Sequence, residues 1–154
     1  MSKKQFEPTL FLDIDGVLVT HGDRAAGRWD YATPVAVAAL NRILRETHAS
    51  MILCSAWRHW GTAAFNGFMQ RWGVAYGVSD CTGHLGSRAA EISEYGVVHG
   101  IPRGLCVWID DVEPGVNGDG IMDLLVRTDA AVGLTDVHAD EVIARCAAMG
   151  VYAT

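Results

Sequence analysis

Asp13 and Asp15 stand two residues apart, directly after the apolar run Thr9–Leu12, and Gly16 follows them. If the strand ran on, both carboxylates would point to the same side, and Gly16 permits a sharp turn behind them. Asp110 and Asp111 follow a second apolar run, Leu105–Ile109, and Ser55 ends a third, Ser50–Ser55. Four carboxylates brought side by side cannot all stay ionised without compensation. A hard divalent cation with oxygen ligands is the natural compensation, and Mg²⁺ is the usual one where phosphate is the substrate.

The elements that must position these groups are legible as alternating strands and helices. Thr9–Asp13 reads as a first strand, and the polar stretch His21–Tyr31 reads as a loop. Thr33-Pro34 is a helix start, a hydroxyl cap followed by proline in the first turn. Apolar residues then recur at helical spacing to about Thr47. Ser50–Ser55 reads as the second strand and Thr62–Trp72 as a helix ended by Gly73. Val74–Val78 is expected to form a short strand, Ser87–His99 a helix, and Leu105–Ile109 a third firm strand. Gly115–Gly120 reads as a glycine-rich loop, Met122–Arg127 as a strand, and Val137–Met149 as a closing helix capped by Thr135 or Asp136. This alternation predicts an α/β three-layer fold, a Rossmann-like parallel sheet with helices on both faces. In such sheets sites form beyond the carboxyl ends of the strands, where Asp13, Asp15, Ser55, Asp110 and Asp111 all fall.

Composition narrows the alternatives. The 154 residues suit one domain spanning 1–154, and half of them are apolar. No apolar run reaches the roughly 18 residues of a membrane span, and no signal peptide is read at the N-terminus. The four cysteines form no C-x-x-C pair, and Cys54 and Cys106 read as core residues. A reducing, cytoplasmic setting fits this usage best. The net charge of −6 leaves no general nucleic-acid footprint, yet a bound cation and a few arginines still allow a nucleotide substrate. Lysine occurs only at positions 3 and 4, so a cation in the body of the fold is arginine or metal.

With these residues in order, the chain resembles the haloacid dehalogenase (HAD) superfamily of phosphatases. Asp13-Ile14-Asp15-Gly16-Val17 is similar to its first motif, Ser55 after Met51-Ile52-Leu53-Cys54 to its second, and Asp110-Asp111 to its fourth. The third motif is a lysine or arginine on a helix before the fourth. Arg88, 22 residues ahead of Asp110, is the choice here, with Arg58 and Arg103 as rivals. The tail from Leu124 through Arg127 and Gly133 to Thr135 resembles a smaller subgroup found in RNA-repair proteins.

The resemblance implies roles. Asp13 would attack phosphorus and form an aspartyl-phosphate, and Asp15 would serve as acid and base. Mg²⁺ would be held by Asp13, the backbone carbonyl of Asp15, Asp110 and Asp111, the last directly or through water. Ser55 and Arg88 would bind phosphate, and Trp57 and Arg58 would contact the substrate. The substrate is expected to be a nucleotide or nucleic-acid terminal phosphate. A phosphoprotein, a sugar phosphate, or a binding module without turnover are the alternatives. Asp15 argues against dehalogenation, which typically dispenses with that acid.

Neither interval that would hold a cap domain leaves room for one. The site is therefore expected to be open, or covered by a partner subunit in an oligomer. Trp29, Tyr31, Trp57 and Trp60 lie in or beside segments that reach the active-site edge. They are either rim packing or surfaces on which a base would stack. His21, His59 and His84 read as loop residues, and Asp119 and Asp123 as turn residues.

Overall fold

The apolar runs Thr9–Leu12, Ser50–Ser55 and Leu105–Ile109 each supply one strand of a single parallel sheet in the computed structural model, which describes residues 7–113 and 120–150. The strands are β1 (Thr9–Leu12), β2 (Ser50–Leu53), β3 (Asp80–Cys81), β4 (Cys106–Asp110) and β5 (Leu125–Arg127), in the order β3-β2-β1-β4-β5. The helices are α1 (His21–Ala25), α2 (Pro34–Thr47), α3 (Thr62–Trp72), α4 (Arg88–Val98) and α5 (Asp136–Gly150). The chain moves outward from β1 through β2 to β3, then crosses to the other side of β1 to lay down β4. β1 and β4 are thus neighbours at the point where the strand order reverses, the place where open α/β sheets bind ligands.

Strand alternation divides the core into two layers. Leu10 and Leu12, Met51 and Leu53, and Val107 and Ile109 pack on one face with α2, α3 and α5. Phe11, Ile52, Cys54, Cys106 and Trp108 pack on the other with Ala89 and Ile92 of α4. Both faces are covered, as a parallel sheet requires. Local signals hold the helices in place. The Thr33 hydroxyl accepts from Ala36 N at the start of α2, and Ser87 does the same for Ala90 N at the start of α4. Gly73, in the left-handed region, ends α3.

Three expectations are corrected. Val74–Val78 forms no strand, because its backbone donors go elsewhere. Val74 N bonds to Met69 O, while Ala75 N and Val78 N donate to the side chains of Asn41 and Asn66. The edge strand begins later, at Asp80. Within His21–Tyr31 the short helix α1 forms, capped by Thr20, whose hydroxyl accepts from Asp23 N. The first half of Met122–Arg127 is a 3₁₀ turn, closed by Leu124 N to Ile121 O, and only Leu125–Arg127 joins the sheet. The glycine-rich loop, apart from Gly120, and Asp119 lie outside the described residues. The intervals that follow β1 and β2 hold the elements named above and no cap domain among the described residues. No helix of the described residues is long and apolar enough to cross a membrane.

The loop after β1 is fixed from several directions. Ile14 O accepts from the backbone N–H groups of Val17, Leu18 and Val19. The segment after β5 clamps the same loop: Thr128 Oγ1 donates to Gly16 O at 2.8 Å, and Leu134 N donates to Val17 O at 2.8 Å. His21 N donates to Ala130 O, and Thr33 N donates to Leu18 O. Gly133, at φ +82°, lies so close that a β-carbon would sit 2.7 Å from Val17 O. Gly133→Ala is therefore expected to cost about 2 kcal/mol from the positive φ and the clash together. A urea denaturation midpoint checks this; a change within error would show that the clamp yields freely.

Candidate active site

Asp13 leaves the end of β1 with its backbone N–H donating to Ile109 O of β4 at 3.0 Å. Asp110 closes β4 itself and is fully buried. Its carboxylate accepts from Trp108 Nε1 at 3.0 Å, Asp111 N at 2.8 Å and Val112 N at 3.2 Å. Asp13, Asp110 and Asp111 bring carboxylate oxygens within 4.8 Å of one another. Burial, reinforced by the charge of Asp110, pushes the Asp13 carboxyl well above the ordinary range, and Arg88 works against this. Burial likewise raises Asp110 to about 6, opposed by Arg88 and by the Trp108 hydrogen bond.

This donor set fits a hard divalent cation. Three carboxylates from two adjacent strand ends converge with one guanidinium nearby. Gly16 makes the close approach possible: at φ +82° it carries no β-carbon, and one built there would lie 2.2 Å from Asp111 Oδ2. Asp13, Asp110 and Asp111 are the residues that would hold the ion. The Asp15 side chain is not part of the cluster. It accepts from Trp57 Nε1 at 3.3 Å and pairs with Arg24 Nη1 at 3.2 Å.

Arg88, the first residue of α4, is the arginine that reaches the carboxylates among the described residues. Its Nη2 lies 3.7 Å from Asp13 Oδ1 and its Nε 3.1 Å from Asp110 Oδ2, the latter without the alignment of a hydrogen bond. The rivals are occupied elsewhere. Arg103 precedes β4 at the opposite edge of the sheet and pairs with Asp123. Arg58 donates to both oxygens of the buried Glu91, at 3.2 Å each. Glu91 also accepts from Leu85 N and from Arg88 Nη1, so one carboxylate holds both arginines. Ser55 is buried at the end of β2, where its hydroxyl accepts from Trp57 N and keeps its own proton for another acceptor.

Trp57 is 5% exposed and packs edge-on against Phe65, Phe68 and Trp72. Its contact with the site is the hydrogen bond to Asp15. His21 Nε2 lies 3.6 Å from Asp111 Oδ2, and His84 sits against Arg58 and Glu91. Sequence reading passed over Arg24, Glu91 and Thr128. Glu91 carried a signal, since it stands three residues after Arg88 and interrupts the apolar side of α4 between Ala89 and Ile92. Arg24 carried none.

The order and geometry of these motifs accord with a family match covering residues 9–139, to the family described as the HAD domain in Swiss Army Knife RNA repair proteins. The chain belongs to this HAD family. Among curated proteins no match reaches significance. A solved structure shares the fold. One crystal structure aligns with a TM-score of 0.52 at 16% identity, over 96% of this chain and 83% of its own. Another, described as an HAD family hydrolase from Streptomyces avermitilis MA-4680, aligns with a TM-score of 0.46 at 14% identity, over 96% and 94% respectively.

The buried carboxylates set a pH dependence for the metal-free HAD domain. Asp110 holds its proton in the folded state up to about pH 6, against an ordinary value of 3.8. Between these values the folded chain binds more protons than the unfolded one, so this group makes stability fall as pH rises through the window. Above pH 6 the penalty is complete. Asp13→Asn removes one partner of the repulsion, and in EDTA at pH 7.5 it is expected to stabilise the protein by on the order of 2 kcal/mol. Thermal melts of both proteins at pH 5 and 7.5 test this. Equal melting temperatures at pH 7.5 would count against the buried, charged pair as a source of instability.

Proposed function

We propose that this HAD domain is a Mg²⁺-dependent phosphomonoester hydrolase. It works through an aspartyl-phosphate on Asp13 and acts on a nucleotide or polynucleotide terminal phosphate. The observation that carries the reading is the meeting of Asp13, Asp110 and Asp111 with Arg88 at the β1/β4 switch point, with Asp15 immediately beside them. Family membership supports hydrolase chemistry, and the family's description supports the nucleic-acid preference.

When bound, the cation offsets the negative charge that Asp13 and the phosphate bring together. The residues of the chain do the remainder. An Asp13 carboxylate oxygen attacks phosphorus as the ester P–O bond breaks, leaving an acyl phosphate. Asp15 gives its proton to the departing oxygen, held in place by Trp57 Nε1 and Arg24. Asp15 then takes a proton from the water that attacks the acyl phosphate, which frees Asp13 and inorganic phosphate. Arg88 and the Ser55 hydroxyl hold the phosphoryl oxygens. Glu91 keeps Arg88 from collapsing fully onto the carboxylates by taking one of its nitrogens.

Two variants separate the roles. Asp13→Asn is expected to remove Mg²⁺-dependent release of phosphate from an aryl phosphate altogether; full activity in this variant would sink the proposal. Asp15→Asn is expected to lose at least about 100-fold on an alkyl phosphate, and less on an aryl phosphate whose leaving group needs little protonation. A panel of mononucleotides, 3′- and 5′-phosphorylated oligonucleotides, sugar phosphates and phosphopeptides ranks the substrates. Clear preference for sugar phosphates would overturn the nucleic-acid assignment.

A further inference from the structure

Beside Asp15 lies an open cleft of about 290 Å³ lined by Asp15, Arg24, Trp29, Trp57, His59 and Trp60. Its walls are unusual for a surface that faces water. Trp29 is 44% exposed and Trp60 45%. The two indoles are parallel to within 4°, with ring centroids 6.3 Å apart. Phe68 backs both, at 6.1 Å from Trp29 and 5.6 Å from Trp60, and His59 lies 5.0 Å from the Trp60 ring. Two large rings are thus backed by Phe68 while nearly half of each remains open. Core packing explains the buried Trp57. It does not explain two aligned indoles left half in solvent at the lip of the site.

We infer that Trp29 and Trp60 form a stacking platform for a nucleobase on the leaving-group side of the scissile phosphate. This rests on the acid role of Asp15 in the proposed phosphatase reaction. The oxygen that receives the Asp15 proton must lie at Asp15, so the group attached to that oxygen extends into the cleft that Asp15 lines. The distance selects the kind of group. Trp57 donates to Asp15 and is itself 5.7 Å from Trp29, ring centre to ring centre. The platform therefore lies one ring beyond the acid. A phenolic ester, such as a phosphotyrosine, would place its ring at Asp15 and Trp57, and Trp57 is too buried to offer a face. A nucleoside interposes a sugar between the ester oxygen and the base, which carries the base one ring further out, onto Trp29 and Trp60. Stacking tolerates any base, since each has a π-face, so the platform recognises a nucleoside without reading its identity.

Two measurements test the inference, the second of them independently of turnover. In the first, kcat/KM is measured for a 3′-phosphorylated dinucleotide and for glycerol phosphate. Trp29→Ala and Trp60→Ala are each expected to lower the ratio of these two values about tenfold, and Trp60→Phe to restore most of it. In the second, tryptophan emission of the Asp13→Asn protein is titrated with adenosine 3′-monophosphate. Quenching is expected, and it should weaken about tenfold in apparent affinity when Trp29 and Trp60 are both changed to Leu. Quenching without any hydrolysis by the wild-type protein would keep the platform and overturn the phosphatase reading. Hydrolysis with no change in the ratio and no quenching would overturn the platform and leave the phosphatase. Preference for a phosphotyrosine peptide over the dinucleotide would also overturn it.

Discussion

Two carboxylates are kept out of water at neighbouring strand ends, and the rest of the site is organised around their repulsion. Asp13 and Asp110 are drawn together because β1 and β4 pair in parallel and end at the same edge. Burial disfavours the charge of each, and proximity disfavours both charges at once. The molecule opposes this with fixed dipoles and one cation. Trp108 and two backbone amides satisfy Asp110, and Arg88 stands against both acids. What remains uncompensated is what makes the cluster receptive to a small, highly charged ion. A site in which protein groups had neutralised every charge would have no such appetite.

This arrangement needs a rigid frame, because repelling groups move apart wherever the backbone lets them. The frame comes from a part of the chain remote in sequence. Thr128, Ala130 and Leu134 bind the loop that carries Asp15 and Gly16, and Gly133 lets the two backbones touch. The loop after β1 is therefore closed by the segment after β5. That segment is the one whose sequence resembles the RNA-repair subgroup.

The fold was legible in the sequence wherever one signal dominated. Thr33-Pro34 and Gly73 marked helix ends that the structure places at the same residues, and the apolar runs ending in acid became β1 and β4. It was less legible where side chains compete with the backbone. Asn41 and Asn66 capture amides that an apolar run alone would assign to a strand. Within the site, Asp13, Asp110 and Asp111 stood out because acids at the ends of apolar runs are conspicuous. Arg58 stood out for its closeness in sequence to Ser55, but the structure gives it to Glu91. Arg24 could not be read at all, since its pairing with Asp15 depends on a short helix folding back over the loop. Pairings made by a chain reversal leave no periodicity behind.

The two faces of the sheet are covered unequally. Among the described residues three helices protect one, while α4 is the one α-helix on the other, and its outer residues Val97 and Val98 are exposed. The same helix supplies Arg88 and Glu91 at its first turn. Detachment of α4 would uncover Phe11 and Trp108 and withdraw Arg88 from Asp13 and Asp110 in one event, with the β1/β2/β4 ladder still intact. Loss of α4 alone would then separate the integrity of this cluster from that of the sheet.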